Sequence, residues 1–302
     1  MVPAISLLAS ALIYADPPKT GTFTLSFSER SPHSALAEIG KRLGPNFAPK
    51  GKNAEDYELA SESFEIYVPK SYSGKKAFGL LVFVSPGPNG GVKNFDRDGG
   101  WTKALDEREI IWVGPNKAGN ERAALHRLGL ALDAAHNAVK EFKIDPERVY
   151  MGGVSGGGRV TSMLAIPFPD VFRGGYAIIG ANFYRNIKSQ EQAGMHPGLY
   201  KAPSPKLLSL AKQRRHVFLT GDTDANREHM HLIFQALVKD GWKHCQYFQV
   251  PRMGHSPPDG EWFAKGLAAL DGEAEAPNVG KVTGKQVRNP QGRKSEEKQP
   301  DP

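Results

Sequence analysis

Cysteine is almost absent from this chain, which has one, Cys245, among its 302 residues. A single cysteine excludes an internal disulfide framework and a cysteine-rich zinc site. Cys245 falls within a strand-like apolar run, so we expect it to be a buried thiol of the core. Cysteine usage therefore excludes a small disulfide-stapled fold and gives no metal centre to propose.

Long apolar runs and a concentrated charge of one sign are also missing. Apart from residues 2–14, no run approaches the roughly 20 residues that a membrane-spanning helix needs, so we expect a soluble mature protein without stable membrane insertion. The formal net charge is +7, but the surplus is scattered, and residues 271–302 hold six basic and six acidic side chains. Because no basic stripe is interleaved with aromatic residues, we expect no nucleic-acid partner.

The two ends of the chain differ from its middle. Residues 2–14 are apolar, with small residues at Ala9 and Ala11, and this pattern predicts a signal peptide over residues 1–15 and export to the periplasm or the medium. No Lys or Arg precedes the run, so a short N-terminal strand of a cytosolic protein is the alternative. Residues 272–302 are rich in Gly, Pro, Lys, Glu, Gln and Ser and are predicted to form a disordered tail. One large domain over residues 16–271 remains.

Within this domain, short apolar runs alternate with helical patterns. Alternating residues predict half-buried strands at 21–27 and 64–68. Continuous apolar runs, typical of parallel strands buried on both faces, follow at 80–84, 110–113, 149–151, 176–179, 217–220 and 247–250. Apolar spacings of three and four predict an amphipathic helix over 125–142. The predicted fold class is α/β, a mostly parallel, doubly wound sheet with helices on both faces.

The segment Gly153-Val154-Ser155-Gly156-Gly157 joins one of these strands to a helical run at 159–166. A serine in a tight strand-to-helix turn has its hydroxyl exposed at the carboxyl edge of the sheet, and small neighbours leave room for the bend. We therefore interpret Ser155 as a nucleophile. The alternative is a glycine-rich structural turn.

A serine hydroxyl needs a base, and the base needs a carboxylate that orients it. His255 follows the last predicted strand and precedes the last helix, which puts it in a loop at the carboxyl edge of the sheet and makes it the candidate base. The loop after strand 217–220 offers two carboxylates, Asp222 and Asp224. We favour Asp224, because the Gly-x-x-Asp spacing lets its carboxylate curl back toward the histidine, whereas Asp222 could cap the following helix.

Acyl transfer also requires hydrogen-bond donors for an oxyanion. The backbone amide of Gly156, at the start of the helix after Ser155, is the first candidate. The second is expected in the loop after strand 80–84, where Pro86 and Pro88 lack an N–H. Gly87 is then the preferred donor and Asn89 the next.

Two further loops follow the carboxyl ends of strands and could contact a substrate. In loop 114–122 the candidates are Asn116, Glu121 and Arg122, while Asn120 could instead cap the next helix. Residues 181–214, which include Tyr184, are more than one connecting helix needs and are a candidate lid. An irregular surface excursion is the alternative for that segment.

Taken together, the serine turn, the loop with Gly221 and Asp224, and Gly254-His255 resemble the α/β-hydrolase superfamily, in particular the secreted esterases grouped with polyhydroxybutyrate depolymerases and feruloyl esterases. The likeness extends from about residue 64 to 270. It implies that residues 16–271 form a catalytic domain that hydrolyses small-molecule or polymer-linked carboxylic esters through an acyl-serine intermediate, without metal or organic cofactor.

Two features depart from those enzymes. The His-Gly pair common in their oxyanion loop is Pro86-Gly87 here, and the cysteines that brace many secreted members are missing, which favours the periplasm or a similarly mild environment. Two alternatives remain open at this point: a serine peptidase of the prolyl-oligopeptidase type, and a non-catalytic module of the same fold that binds glycans.

Overall fold

The structure is a computed structural model that describes residues 18–51, 55–191 and 193–273. The predicted signal peptide, residues 1–15, and positions 274–302 of the predicted tail lie outside the described residues. Within the described ranges, no helix is long and apolar enough to cross a membrane.

An eight-stranded sheet forms the centre of the fold, in the order β1-β2-β4-β3-β5-β6-β9-β10. Its strands are β1 Gly21–Leu25, β2 Phe64–Val68, β3 Phe78–Val84, β4 Ile110–Pro115, β5 Ile144–Val154, β6 Gly174–Ile178, β9 Arg215–Gly221 and β10 Cys245–Val250. The six strands from β4 to β10 in that order pair in parallel, whereas β1 pairs antiparallel with β2, and β2 with β4. The carboxyl ends of the parallel strands therefore share one edge, where loops from distant parts of the sequence meet.

Helices cover both faces of the sheet, as predicted. They are α1 Leu36–Leu43, α2 Gly100–Glu107, α3 Ala124–Glu141, α4 Gly156–Ala165, α5 Pro205–Ala211, α6 Arg227–Lys239 and α7 Gly260–Leu270. Residues of β3 alternate between two cores: Leu80 packs on the side of α1, α3 and α4, and Leu81 on the side of α2 and α7. On the second side, the rings of Trp101 and Phe263 stack with centroids 3.8 Å apart. This double burial explains why β3 is an unbroken apolar run, with all seven of its residues buried.

The predicted fold class, a mostly parallel α/β sheet, is confirmed. Two local predictions are wrong. Helix α3 begins at Ala124 with Ala123 at its N-cap, so Asn120 does not cap it. Strand β6 ends at Ile178, and Ile179 has a positive φ of 46° that no strand residue adopts. The candidate lid 181–214 stays a prediction; this segment contains a short hairpin, β7 Ile187–Lys188 and β8 Met195–His196, ahead of α5.

Candidate active site

Ser155 lies between β5 and α4 in a strained backbone conformation, with φ 55° and ψ −113°. Its amide donates to the carbonyl of Ile178 at 2.8 Å, which ties the turn to the neighbouring strand β6. The turn is so tight that a Cβ atom on Gly157 would lie 1.8 Å from the carbonyl oxygen of Val84. A non-glycine residue at positive φ is uncommon, and such strain is concentrated at functional sites. The packing of the turn therefore holds the Ser155 side chain out at the carboxyl edge of the sheet.

The imidazole of His255 links Ser155 to Asp224. The Ser155 Oγ lies 2.8 Å from Nε2 of His255, and Nδ1 of His255 lies 3.0 Å from Oδ1 of Asp224. The Asp224 side chain is fully buried, while 47% of the His255 side chain is exposed. We call this set the Ser155–His255–Asp224 relay. Its geometry suits a proton transfer from the hydroxyl to the ring and a carboxylate that orients the ring.

Asp224 is fixed by donors other than His255. Thr220, near the end of β9, donates its hydroxyl to Oδ2 at 2.9 Å, and the backbone amide of Asn226 donates to Oδ1 at 3.0 Å. Asp222 is placed differently: Oδ1 of this residue is buried and has no hydrogen-bond partner within the described ranges. The structure thus brings Asp224, and not Asp222, to the histidine.

The side chain of Asn226 lies beside His255, and the sequence analysis did not single it out. Its Nδ2 donates to the carbonyl of Ile179 at 2.9 Å and lies 3.5 Å from Nδ1 of His255. The sequence does contain a signal for Asn226: it stands two positions after Asp224, and a backbone amide at that spacing commonly bonds to an aspartate side chain in one turn.

Gly156 begins α4, where the backbone N–H groups of a helix are free to bind an anion. The Asn120 side chain lies beside it, since a Cβ atom on Gly156 would lie 1.8 Å from Oδ1 of Asn120. Gly87, the other predicted donor, has its amide occupied: it donates to the hydroxyl of Ser85 at 3.0 Å. The structure corrects this part of the prediction, because the Ser85 side chain competes for the N–H that an oxyanion would need.

Two of the predicted substrate contacts have structural partners instead. Asn116 accepts a hydrogen bond from the Gly90 amide at 3.0 Å and donates to the Ser63 hydroxyl at 3.1 Å. Tyr184 is half-buried against Phe183, with ring centroids 4.2 Å apart. Burial raises the pKa of Tyr184 to about 12. Both side chains stabilise the segments that carry them, and neither is part of the lining of the cleft beside Ser155.

Glu121 and Arg122 line a shallow depression of about 380 Å³ next to the Ser155 cleft. The Arg122 guanidinium donates to the Glu62 carboxylate at 2.5 Å and to His126 at 3.2 Å, so it anchors the loop. Asn120 lines both this depression and the cleft. Glu121 and Arg122 therefore lie near the candidate site but outside the cleft that contains Ser155.

The cleft beside Ser155 has a volume of about 420 Å³. It is lined by Phe47, Asn120, Ala124, Arg127, Leu128, Ser155, Gly156, Arg159, Val160, Met163, Asn182 and Leu199. Asn182 and Leu199 come from the predicted lid segment 181–214, which thus forms part of the wall. The cleft combines an apolar surface with a few convergent polar groups, as small-molecule sites do.

A larger cleft, about 650 Å³, lies on another part of the surface. Among its lining groups, the Asp271 carboxylate accepts from Arg148 at 2.9 Å, from Arg108 at 3.1 Å and from the Tyr150 hydroxyl at 2.8 Å. This cluster fastens the end of α7 to the sheet. In the described part of the chain, no group of three or more His, Cys, Asp or Glu side chains could hold a metal ion.

Comparison with known proteins gives partial sequence matches. The chain is 29% identical over 125 residues to a poly(3-hydroxybutyrate) depolymerase of Ralstonia pickettii, which covers 35% of this chain and 25% of that protein. It is 28% identical over 127 residues to an acetylxylan esterase of Coprinopsis cinerea, covering 37% and 34%. The chain therefore spans only about a quarter to a third of the length of these relatives. The sequence matches no protein-family profile.

Solved structures of low sequence identity share the fold. S-formylglutathione hydrolase of Staphylococcus aureus has a TM-score of 0.53 and 13% identity, covering 84% of this chain and 99% of that one. A mutant of the feruloyl esterase module of Clostridium thermocellum has a TM-score of 0.52 and 12% identity, covering 84% and 89%. From this architecture and these similarities we conclude that the chain has the α/β-hydrolase fold and that it resembles polyhydroxybutyrate depolymerases and feruloyl esterases.

Proposed function

We propose that this protein is a serine hydrolase that cleaves carboxylic esters through an acyl-serine intermediate. The observation that carries the proposal is the Ser155–His255–Asp224 relay, with distances of 2.8 Å and 3.0 Å, on a serine held at a φ of 55°. Partial sequence matches to a depolymerase and an esterase support the ester bond as the target.

In this mechanism His255 carries its proton on Nδ1, toward Asp224, and its Nε2 accepts the proton of the Ser155 hydroxyl. The Oγ atom attacks the ester carbonyl carbon, and the buried Asp224 carboxylate stabilises the imidazolium that forms. The tetrahedral intermediate then breaks its bond to the alcohol oxygen, which takes the proton from Nε2. A water molecule, deprotonated by His255, then attacks the acyl carbon. The bond between this carbon and the Ser155 Oγ breaks, Oγ takes the proton back from Nε2, and the carboxylic acid is released.

The oxyanion of the intermediate needs two donors near Ser155. We assign the first to the Gly156 amide, where the dipole of α4 adds positive potential. We assign the second to the side-chain amide of Asn120, because this exposed group lies against Gly156 whereas the Gly87 N–H is bonded to Ser85. A half-turn about χ2 of Asn120 presents Nδ2 in place of Oδ1.

Substrate and location extend the proposal. The relatives are named for poly(3-hydroxybutyrate) and acetylated xylan, which are polymer-linked esters. We infer an ester of a small molecule or a polymer as substrate, and residues 181–214 as the segment that shapes access to it. Export, on the predicted signal peptide over residues 1–15, places the enzyme in the periplasm or the medium.

The test is hydrolysis of 4-nitrophenyl esters from acetate to octanoate, and of a feruloyl ester, by the purified protein and by Ser155→Ala. We expect wild-type activity on at least one ester and a loss of about 10⁴-fold or more in kcat for the variant. A folded wild type that hydrolyses no ester would contradict the proposal. Cleavage of peptide substrates in that case would favour a serine peptidase of the prolyl-oligopeptidase type. A protein that cleaves neither esters nor peptides would favour the non-catalytic, glycan-binding module.

A further inference from the structure

Two arginines line the cleft beside Ser155, and none of the lining residues is an aspartate or a glutamate. Arg127 projects from α3 and is only 7% exposed. Its Nε donates to the carbonyl of Ala118 at 2.7 Å and its Nη2 to that of Ser85 at 3.4 Å. Within the described ranges, no carboxylate pairs with Arg127. The cleft wall therefore contains a buried positive charge with no protein anion to neutralise it.

Burying a guanidinium without a counter-ion is costly, because the charge loses its hydration. Burial lowers the pKa of Arg127 to about 10, so the group is still protonated at neutral pH. Two backbone carbonyls offset part of the cost, but they bring dipoles and no negative charge. An anion in the cleft would stabilise Arg127 much more, since Arg pairs with a carboxylate through two parallel hydrogen bonds.

Arg159 adds a second positive charge close to the nucleophile. Its amide donates to the carbonyl of Ser155 at 3.0 Å, so it lies one helical turn beyond the serine on the same face of α4. Side chains of a helix lean toward its N-terminus, which directs Arg159 back toward Ser155. The exposed guanidinium donates to the neutral Asn226 amide oxygen at 3.3 Å, and within the described ranges it has no salt bridge to a carboxylate. Asp224, the carboxylate of the relay, is buried and is already held by Thr220 and His255.

We propose that this cleft binds a carboxylate carried by the substrate, so that the preferred substrates are esters with a free carboxylate group. The inference rests on the proposed ester hydrolysis and names its substrate class. Arg127 and Arg159 receive the carboxylate, and the apolar wall formed by Leu128, Val160 and Met163 receives the carbon chain that joins it to the ester. Half-esters of dicarboxylic acids, and hydroxy-acid chains that end in a carboxyl group, have this chemistry.

Paired substrates test the proposal on each arm of the ester. On the acyl side, 4-nitrophenyl hydrogen adipate is compared with its neutral methyl ester. On the alcohol side, 4-acetoxybenzoate is compared with methyl 4-acetoxybenzoate. The measured quantity is the ratio of kcat/KM for acid over neutral ester, each divided by its rate of hydroxide hydrolysis. We expect a ratio of about ten or more on one arm, since a charge-assisted pair is roughly twice as strong as a neutral one. The arm that shows it tells which side of the ester faces the arginines.

Variants connect the ratio to the cleft. Arg159→Gln should lower it at least fivefold, and Arg159→Lys should restore part of it. Arg173→Gln is the matched control. Arg173, the residue directly before β6, forms an ion pair with Glu147 and is not part of the cleft lining. The substitution removes the same charge, and we expect it to leave the ratio unchanged. Arg127→Lys is a second variant, and circular dichroism shows whether it is folded. Ratios near one on both arms, or a ratio that Arg159→Gln does not change, would overturn the proposal while ester hydrolysis stands.

Binding without turnover separates this inference from the proposed function. Calorimetric titration with adipate should show binding to the wild type and to Ser155→Ala, and weaker binding to Arg159→Gln. If no ester is hydrolysed but adipate binds through Arg159, the proposed function fails and the carboxylate site stands. If esters are hydrolysed and adipate does not bind, the carboxylate site fails alone.

Discussion

The imidazole of His255 and the carboxylate of Asp224 lie 3.0 Å apart, although 31 positions separate them in the sequence. Neighbouring parallel strands bring them together, since Asp224 follows β9 and His255 follows β10. The histidine reaches Ser155 on its other side, so the relay depends on three loops at one edge of the sheet. The Asp224 carboxylate is fully buried beneath the accessible ring, so we expect it to act on His255 and not on the substrate directly. Asp222, in the same loop, forms no hydrogen bond with the ring in the described part of the chain, so we expect its substitution to have a different effect.

Asp224→Asn should reduce kcat by about 10⁴-fold, because an amide cannot stabilise the imidazolium and favours the wrong tautomer of His255. The matched control is Asp222→Asn, two positions away, which we expect to change kcat by less than about tenfold. Steady-state kinetics on a 4-nitrophenyl ester check both variants. A larger loss of kcat for Asp222→Asn than for Asp224→Asn would show that Asp222, and not Asp224, is the orienting carboxylate.

Asn120→Ala should lower kcat by about 10²–10³-fold with a small change in KM, as expected for an oxyanion donor that acts in the transition state. Asn89→Ala is the comparison, since Asn89 is exposed and lies outside the lining of the Ser155 cleft. Equal activity of Asn120→Ala and wild type would show that another group supplies the second donor.

Gly157→Ala should lower the free energy of unfolding by about 3 kcal/mol, because the new Cβ would lie 1.8 Å from the backbone oxygen of Val84 and the strands cannot move apart without loss of packing. Gly254→Ala provides the control, since its Cβ meets only the Thr223 hydroxyl at 3.6 Å. Urea denaturation measures both. Equal stability of the two variants would mean that the turn at Gly157 has room for a methyl group, in contradiction to the 1.8 Å approach to Val84.

His216 should make the free energy of unfolding depend on pH. Burial lowers the pKa of His216 from 6.5 to about 4, so between these values the unfolded chain binds the proton and the folded protein does not. Stability is therefore fully present above pH 6.5 and is lost as the pH falls toward 4, with about 2 kcal/mol lost between pH 7.5 and 5.

Urea denaturation of wild type and His216→Gln at these two pH values tests this. Glutamine does not titrate and can still donate to the Ala211 carbonyl, which accepts from Nε2 at 3.1 Å. We expect the variant to lose about 2 kcal/mol less than the wild type between the two pH values. Equal losses would mean that the imidazole of His216 is not buried in its neutral form.

The sequence predicted those features that depend on local order along the chain. Ser155, Asp224 and His255 each follow a recognisable strand, and parallel strands must bring such positions to one edge. The features it missed depend on packing between distant segments. Arg127 was not among the candidate residues, because it lies on a helix with an apolar pattern, and it is the approach of residues 85 and 118 that buries its guanidinium.

Two errors show how local reasoning fails at donors. Gly87 was preferred because it has an N–H between two prolines, but the hydroxyl of Ser85 folds back onto that N–H. Asparagine is a residue type common at helix N-caps, but α3 begins later, at Ala124, and the Asn120 side chain lies against Gly156 instead. Side-chain competition for a backbone donor, and the last few residues before a helix, are not determined by the pattern of residue types.

The central claim is that Ser155 is the nucleophile, and covalent labelling tests it most directly. The wild type and a folded Ser155→Ala variant are treated with an alkyl fluorophosphonate, and the products are analysed by intact mass and peptide mapping. We expect one adduct on the wild type, mapped to Ser155, and none on the variant. Labelling that persists in Ser155→Ala, or that maps to another residue, would contradict the claim, as would a folded wild type that takes up no label.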